Sequence, residues 1–367
     1  MTRTLYIFLS FICLVACSVA PSAEGYKTVK IAGGLEFPWG MAFLPSGDIL
    51  VTEREGRLRI IRKGVLDASP IAGLPENIFV SGQGGLLDVS VHPNFKDNQL
   101  IYISYAGQNQ DGAGTEVARG RLEGNELKDL EIIFKVSPKT AGAHHYGSRL
   151  LFLPDNTLLI TTGDRYFMMK EAQNLDNHLG TVIRINDDGS IPEDNPFVKK
   201  EQAQPEIYSY GHRNIQGIAL RPSDQAIWMH EHGPKGGDEV NIIRAGLNYG
   251  WPEITYGIDY SGAIISDKTA APEMEQPVIY WTPSIAPCGM AFYDGDKFPE
   301  WQGDLFVGAL AGTHLRRLEL EGNEVVEQEV LLEDYGRIRD VENGPDGYLY
   351  ILIDDLDGSL VKLEPTS

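Results

Sequence analysis

A short phrase recurs six times along the chain, and it constrains the fold more than any other feature. Each copy has one or two apolar residues, then a turn with Pro or Gly and Asp or Asn, then a strand-like apolar run. Repetition of one antiparallel unit along a chain is typical of radially repeated sheets. The pattern therefore predicts an all-β fold, a six-bladed β-propeller. The copies begin at Phe43, His92, Phe152, Leu220, Phe292 and Asn343.

The segments between turns also indicate strands. Glycine (40 residues) and proline (21 residues) punctuate short stretches rich in Val, Ile, Leu, Tyr and Thr, as expected for β-structure. Because an open blade would expose a strand edge, we expect the early strand near residues 26–31 to pair with the last strands, GYLYILIDD and GSLVKLE. The alternative is two sandwich domains, but no linker-like composition interrupts the chain, which favours one propeller over residues 26–367.

The N-terminal residues predict export. Arg3 precedes an apolar run at residues 5–15, which is typical of a signal peptide core. About eleven apolar residues are short for a bilayer span, which needs about twenty, so a retained membrane anchor is the weaker interpretation. We assign residues 1–16 to a signal peptide.

The tetrapeptide LVAC that ends at Cys17 resembles the bacterial lipobox, which implies lipid attachment to Cys17 and a short tether at residues 17–25. Ordinary cleavage after Ala20 or Ala23 is the alternative. We expect the protein in the bacterial cell envelope or periplasm, touching the membrane only through its lipid anchor.

Charge and cysteine content exclude other classes. The chain has 31 basic and 52 acidic residues and a net charge of −21, which repels phosphate backbones and argues against nucleic-acid binding. A polyanionic ligand would need a local group of arginines. Cys13 leaves with the signal peptide, so Cys288 is expected to be the one free thiol and no intrachain disulfide can form.

One segment carries a candidate acid–base pair. Two histidines and an arginine stand just before the strand in AHHYGSRLLFLPDNTLLITTGD, and Asp164 follows it. A histidine at a strand start with a carboxylate at the far end can act as a general base and its orienting partner. The alternative from the residues alone is a surface histidine that hydrogen-bonds a turn.

Five segments in order resemble the PQQ-dependent soluble aldose sugar dehydrogenase family, also called the glucose/sorbosone dehydrogenase family (PQQ is pyrroloquinoline quinone). The resemblance covers essentially the whole chain after the signal peptide. The segments are GQGGLLDVSVHP from Gly82, HYGSRL from His145, GHRN from Gly211, HGPKGGDEVN with NYGWP, and GRIRDVENGPDG from Gly336.

The resemblance implies oxidation of an aldose at C1 to the lactone with PQQ and calcium, followed by electron transfer to an unidentified acceptor. His145 matches the catalytic position, rather than His144, because the pattern runs through three residues to Arg149. It would take the proton of the C1 hydroxyl as hydride passes to the quinone carbon C5, with Asp164 orienting it. Calcium and Arg213 would stabilise charge on the C5 oxygen.

The resemblance also implies the cofactor and metal contacts. PQQ has three carboxylates, which require fixed cations in this acidic chain. The implied cofactor contacts are Gln83, Arg213, Asn214, Tyr260, Arg337 and Arg339. The implied ligands of a calcium next to PQQ are the carbonyls of Gly233 and Pro234, and those of a second, structural calcium are Glu239 and the Tyr249 backbone.

Two departures from the family pattern stand out. Ala311 occupies a place where some members have a cofactor-binding lysine, and Cys288 stands near the expected front of the pocket where a small residue such as serine is expected. Two other functions compete. One is a calcium-dependent propeller lactonase or hydrolase, and the other is a non-catalytic envelope propeller that binds carbohydrate or protein.

Overall fold

A computed structural model describes residues 25–366 as six four-stranded antiparallel sheets. This confirms the six-bladed propeller. Cys17, the signal peptide and nearly all of the tether lie outside the described residues, so export and lipid attachment stay predictions. Within residues 25–366, no helix has the length and apolar character needed to cross a bilayer.

The first three blades follow one another along the chain, and each has its innermost strand first. Their strands are β2 (Pro38–Phe43), β3 (Ile49–Glu53), β4 (Arg57–Arg62) and β5 (Val65–Leu66) in blade 1; β6 (Leu86–Val91), β7 (Leu100–Asn109), β8 (Gly112–Glu123) and β9 (Glu126–Lys135) in blade 2; and β10 (Leu150–Phe152), β11 (Leu158–Thr161), β12 (Thr181–Ile185) and β13 (Ile207–Tyr210) in blade 3.

The other three blades repeat this order, except that the outermost strand of blade 6 is β1 (Tyr26–Leu35). Their strands are β14 (Ile215–Leu220), β15 (Ile227–Glu231), β16 (Asp238–Ile243) and β17 (Ile279–Trp281) in blade 4; β18 (Pro287–Phe292), β19 (Leu305–Ala309), β20 (Leu315–Glu321) and β21 (Glu324–Leu331) in blade 5; and β22 (Ile338–Asn343), β23 (Leu349–Ile353) and β24 (Gly358–Pro365) in blade 6. The helical turns are α1 (Phe95–Asn98) and two 3₁₀ segments, Met169–Gln173 and Pro299–Trp301.

The ring closes through the two ends of the chain. β1 pairs with β24 in antiparallel register from Tyr26 opposite Pro365 to Leu35 opposite Gly358, which confirms the expected closure. The innermost strands of neighbouring blades contact each other all the way round, including β22 against β2. The first strand of the described residues therefore completes the last blade.

The recurring phrase marks the turn between the first and second strands of each blade. Phe43 ends β2 and Phe152 ends β10, and each copy continues into the second strand. Because these strands are antiparallel, residues just before the first strand lie beside residues just after the second strand. In all six blades, the residues just before the first strand and just after the second strand therefore lie on the same face of the propeller. We call this face the site face.

Neighbouring blades are held together by apolar packing. The Trp228 ring of β15 meets the Phe292 ring of β18 edge to face, with centroids 5.6 Å apart, and both side chains are buried. Similar cores fill the other interfaces, such as the one that joins Leu50 of blade 1 to Ile101 of blade 2. Each large apolar side chain buried in this way contributes about 1.5–3 kcal/mol.

Arg149 fills the propeller axis. Its guanidinium donates to Asp340 Oδ1 at 2.7 Å and to the carbonyl oxygen of Gln216 at 2.9 Å, and it stacks 4.2 Å from the Trp39 ring. Only 5% of the residue is exposed. It also contacts Asp88, Cys288 and the carbonyl oxygen of Arg339. One cation thereby links blade 3 to all five other blades.

Candidate active site

A cavity of about 270 Å³ opens on the site face. Five of the residues singled out from the sequence line it together, although they come from blades 2, 4 and 6 or from loops that belong to these blades: Gln83, Asn214, Tyr260, Arg337 and Arg339. A larger hollow of about 420 Å³ lies where the innermost strands end. It is lined by acidic Asp88, Asp294 and Glu342 and by no basic side chain among the described residues, so it is unsuited to an anionic ligand.

His145 and Asp164 form a hydrogen-bonded pair beside the cavity. His145 precedes β10 and Asp164 follows β11, so the antiparallel pairing of these strands brings the two residues together on the site face. The distance from His145 Nδ1 to Asp164 Oδ1 is 2.6 Å. His145 Nε2 makes no hydrogen bond among residues 25–366. A histidine that donates Nδ1–H to a carboxylate presents Nε2 as a base.

The surrounding residues fix this pair in place. The backbone N–H of His145 donates to Gln83 Oε1 at 2.8 Å, and the Trp251 indole N–H donates to Asp164 Oδ2 at 2.8 Å. Gly163 lets the two loops meet, because a Cβ at this position would lie 2.4 Å from the His145 carbonyl oxygen. The Asp164 carboxylate is therefore oriented from both of its oxygens.

Burial and charge set the protonation of the pair. Burial lowers the pKa of His145 below its ordinary 6.5, although the Asp164 carboxylate opposes the shift. Burial alone would raise the pKa of Asp164, but hydrogen bonding to His145 and nearby positive charge hold it below its ordinary value. At neutral pH the pair is thus a neutral imidazole next to a carboxylate, the state that can accept a proton.

Arginines converge on Asp354 at the cavity wall. Arg339 donates to Asp354 Oδ2 at 2.6 Å, and Arg337 approaches the same oxygen at 3.4 Å. Arg339 Nε is buried with no hydrogen-bond partner. Arg337 precedes β22 and is about half exposed, so both guanidiniums reach the cavity from one edge of blade 6.

Arg213 lies in a small adjoining hollow of about 10 Å³, roughly the space of one water-sized sphere. Its Nη1 donates to the carbonyl oxygens of His232 and Gly233 at 3.0 and 2.8 Å, and its guanidinium faces the Trp251 and Tyr260 rings. The Gly233 carbonyl, which the resemblance implies as a calcium ligand, is therefore occupied by Arg213 in this structure.

Two glutamates face each other in the same hollow. Glu231 and Glu239 stand directly opposite each other on β15 and β16, and Tyr249 lines the hollow with them. Burial and the Glu231 charge raise the pKa of Glu239 to about 8. Asn241 Oδ1, two residues along the strand, is buried without a hydrogen-bond partner. Residues 25–366 contain no cluster of three or more His, Cys, Asp or Glu side chains arranged for a metal, so a cation here would also need backbone oxygens.

The two departures from the family pattern fall outside the cavity lining. Pro234 and Ala311 border a separate apolar hollow next to Tyr260. Cys288 is a buried free thiol whose Sγ lies 3.5 Å from Arg339 Nη1 and 3.6 Å from Arg149 Nη2. Its expected position at the front of the pocket is wrong, because the β18 backbone turns its side chain toward the axis.

Several residues of this site were not predicted from the sequence. Trp39, Arg54 and His232 line the cavity, and Trp251 orients Asp164. Arg54 and His232 directly follow the second strands of blades 1 and 4, and Asp164 follows the second strand of blade 3 three residues after its end. Aligning the six repeats by strand would have pointed to both of them.

The fold and the site together define a class: a six-bladed propeller with an arginine-walled axial cavity beside a His–Asp pair. Residues 35–362 match the family described as Glucose / Sorbosone dehydrogenase. The chain belongs to this family.

Several proteins named as sugar dehydrogenases match this chain over most of its length. Aldose sugar dehydrogenase YliI of Escherichia coli is 43% identical over 373 residues, which cover 100% of each chain. A crystal structure of a glucose dehydrogenase matches with a TM-score of 0.90 at 45% identity, covering 93% of this chain and 100% of that one. The PQQ-bound aldose sugar dehydrogenase of Streptomyces coelicolor matches with a TM-score of 0.76 at 27% identity, covering 94% and 99%.

Proposed function

We propose that this protein is a PQQ- and calcium-dependent aldose sugar dehydrogenase that oxidises C1 of the sugar to the lactone. The observation that carries the proposal is the His145–Asp164 pair beside a cavity whose wall carries several arginines. Membership of the Glucose / Sorbosone dehydrogenase family and the names of the two aldose sugar dehydrogenases it resembles support the substrate class.

The cavity residues fit PQQ. The buried, unpartnered Nε of Arg339 and the convergence of arginines on a single carboxylate, Asp354, leave positive charge uncompensated in a chain of net charge −21. A ligand with several carboxylates compensates it through charge-assisted hydrogen bonds. Gln83, Asn214, Tyr260, Arg337 and Arg339 would hold the cofactor, with Arg213 at its edge.

His145 performs the proton transfer. Its Nδ1–H stays donated to Asp164, so Nε2 takes the proton of the C1 hydroxyl, and Asp164 stabilises the imidazolium that forms. When bound, PQQ supplies the two-electron acceptor for the hydride that leaves C1. Arg213 would supply fixed positive charge to stabilise the negative charge that develops. Trp251 keeps Asp164 directed at the imidazole. An electron acceptor of unidentified chemistry would take up the two electrons.

The competing functions explain fewer observations. A propeller hydrolase would need carboxylate and amide ligands that converge on a metal at the axis, but the axial carboxylates of Asp340 and Asp88 are paired with Arg149. A non-catalytic binding propeller has no use for a base whose orienting carboxylate is held by hydrogen bonds to both oxygens.

The test is optical. Purified protein reconstituted with PQQ and calcium should absorb in the visible as oxidised cofactor, and adding an aldose should bleach that absorption, with the lactone as product. A protein that binds PQQ but is not bleached by any aldose would refute the dehydrogenase, and one that binds no PQQ would refute the cofactor.

Glu239 and the Tyr249 backbone would hold a structural calcium, with Glu231 facing Glu239 on the paired strand. Burial and the Glu231 charge raise the pKa of Glu239 to about 8, so its carboxyl is mostly protonated at neutral pH, and a hard cation with carboxylate and carbonyl ligands would displace that proton. Tyr249 lines the same hollow and would add a backbone oxygen, while Gly233 and Pro234 would offer carbonyls to a second calcium once Arg213 releases the Gly233 oxygen.

We expect Glu239→Gln to abolish the stabilisation by calcium while leaving the calcium-free protein about as stable as before, because the Glu239 carboxyl, with its pKa raised to about 8, is already mostly uncharged at neutral pH. Saturating calcium should raise the Tm of the parent protein by roughly a few degrees and that of the variant hardly at all, as measured by calorimetry with and without a chelator. Glu253→Gln, which removes an exposed carboxylate nearby, serves as the control. An equal calcium response in all three proteins would contradict this site.

A further inference from the structure

The cavity wall next to Asp354 carries more positive charge than the protein itself neutralises. Burial alone would raise the pKa of Asp354, but three arginines together hold it below its ordinary value. Two of them are Arg337 and Arg339, which hydrogen-bond the carboxylate. The third is Arg54, from blade 1. One carboxylate thus faces three guanidiniums, which leaves an excess of two positive charges.

Arg54 is the unpaired member of this group. It makes no side-chain hydrogen bond or ion pair among residues 25–366, and its guanidinium lies 4.9 Å from the centroid of the Phe37 ring. Its neighbours differ: Arg57 and Arg59 on β4 both bind the buried carboxylate of Glu53. Glu53, at the end of β3, therefore neutralises the two arginines of β4. Arg54 has no such carboxylate partner and lines the cavity.

The backbone aims Arg54 at the cavity. Its N–H donates to the Phe37 carbonyl oxygen at 3.1 Å, and its carbonyl oxygen accepts from the Leu86 N–H at 3.2 Å, so the residue is fixed between blades 1 and 2. Its side chain lines the cavity together with Arg337 and Arg339. Leu310 also lines the cavity, and its carbonyl oxygen accepts from Arg337 Nη1 at 3.3 Å.

We propose that Arg54 is a further ligand-binding arginine, which completes from blade 1 the pocket for a carboxylate of the cofactor. This inference rests on the proposed function, since the ligand it needs is a compact polycarboxylate. An unpaired guanidinium stacked on an aromatic ring is already oriented, so it loses little freedom when it binds a carboxylate.

The test compares Arg54→Gln, Arg54→Lys and Lys235→Gln in the full domain. Lys235 is an exposed cation in the adjoining apolar hollow and controls for general loss of positive charge. The dissociation constant for PQQ is measured in calcium buffer by quenching of tryptophan fluorescence, since Trp39 lines the cavity. We expect Arg54→Gln to weaken PQQ binding roughly tenfold or more, Arg54→Lys to weaken it less, and Lys235→Gln to leave it unchanged.

Two further measurements separate an effect on PQQ binding from an effect on the stability of the fold. Because Arg54 has no ion pair to lose, Arg54→Gln should keep the Tm of the ligand-free protein while reducing the rise in Tm that PQQ causes. The dissociation constant for PQQ should also depend less on salt concentration in Arg54→Gln than in the parent protein. Parent-like PQQ affinity in Arg54→Gln, an equal loss in Lys235→Gln, or a lower ligand-free Tm that accounts for the loss would overturn the inference and leave the proposed function standing. Failure of the parent protein to bind PQQ would overturn both.

Discussion

Replacing His145 with alanine should leave a folded protein that still binds PQQ and calcium but turns over aldose about 100- to 10,000-fold more slowly, the usual range for loss of a general base. The reason is that Nε2 of His145 makes no hydrogen bond among the described residues, while Nδ1 is committed to Asp164. The loss is measured as the ratio of steady-state turnover in the parent protein and in the variant, with cofactor occupancy confirmed in both.

The neighbouring histidine provides the control. His144 is exposed, so His144→Ala should change turnover little although it alters the same loop by the same volume. His145 has a φ of +53°, where asparagine is tolerated better than alanine, so His145→Asn keeps the loop conformation while removing the base. Parent-like turnover in both His145 variants would disprove the assignment.

The pH profile follows from the same residue. Since burial lowers the pKa of His145 below 6.5, the imidazole stays neutral, and active as a base, at neutral pH. Activity of the parent protein should fall as the pH drops through that lowered pKa, because protonation removes the acceptor. This acid limb should disappear from the residual activity of His145→Asn.

Removing both Arg337 and Arg339 should weaken PQQ binding at least about 100-fold. Each charge-assisted hydrogen bond contributes roughly 1.5–3 kcal/mol, and two such losses multiply in the dissociation constant. Titration of the ligand-free Arg337→Ala/Arg339→Ala protein with PQQ measures the effect.

Stability must be kept apart from binding in this experiment, because Arg339 neutralises the buried Asp354. Adding Asp354→Asn to the double variant removes the carboxylate that would otherwise be left unpaired. Arg337→Gln alone is a milder version, since this side chain is half exposed. Unchanged affinity in the triple variant, with a native circular dichroism spectrum, would remove both arginines from the site.

Much of the fold could be predicted because the repeated phrase corresponds to one recurring structural element. The turn after Phe43 and the turn after Phe152 are the same connection in two blades, and counting such turns counts blades. The placement of His145 and Asp164 on either side of a hairpin also follows from strand alternation alone, since the start of one antiparallel strand lies beside the end of the next.

The contacts between blades could not be predicted. Trp251 reaches Asp164 from 87 residues away, and Arg149 meets Asp340 across 191 residues, with no local pattern to mark either pair. The Gly233 carbonyl illustrates another limit: a motif names the oxygen, but only the folded structure shows that Arg213 already binds it.

The β1–β24 seam has a consequence for biosynthesis. The strand that a ribosome makes first in the described domain finds its partner only in the strand made last, so no partly synthesised chain can close the ring. Until then β1 is an unpaired edge that could pair with another chain. Any truncation that removes β24 should produce a molecule prone to self-association, even though the cavity and its arginines lie on other strands.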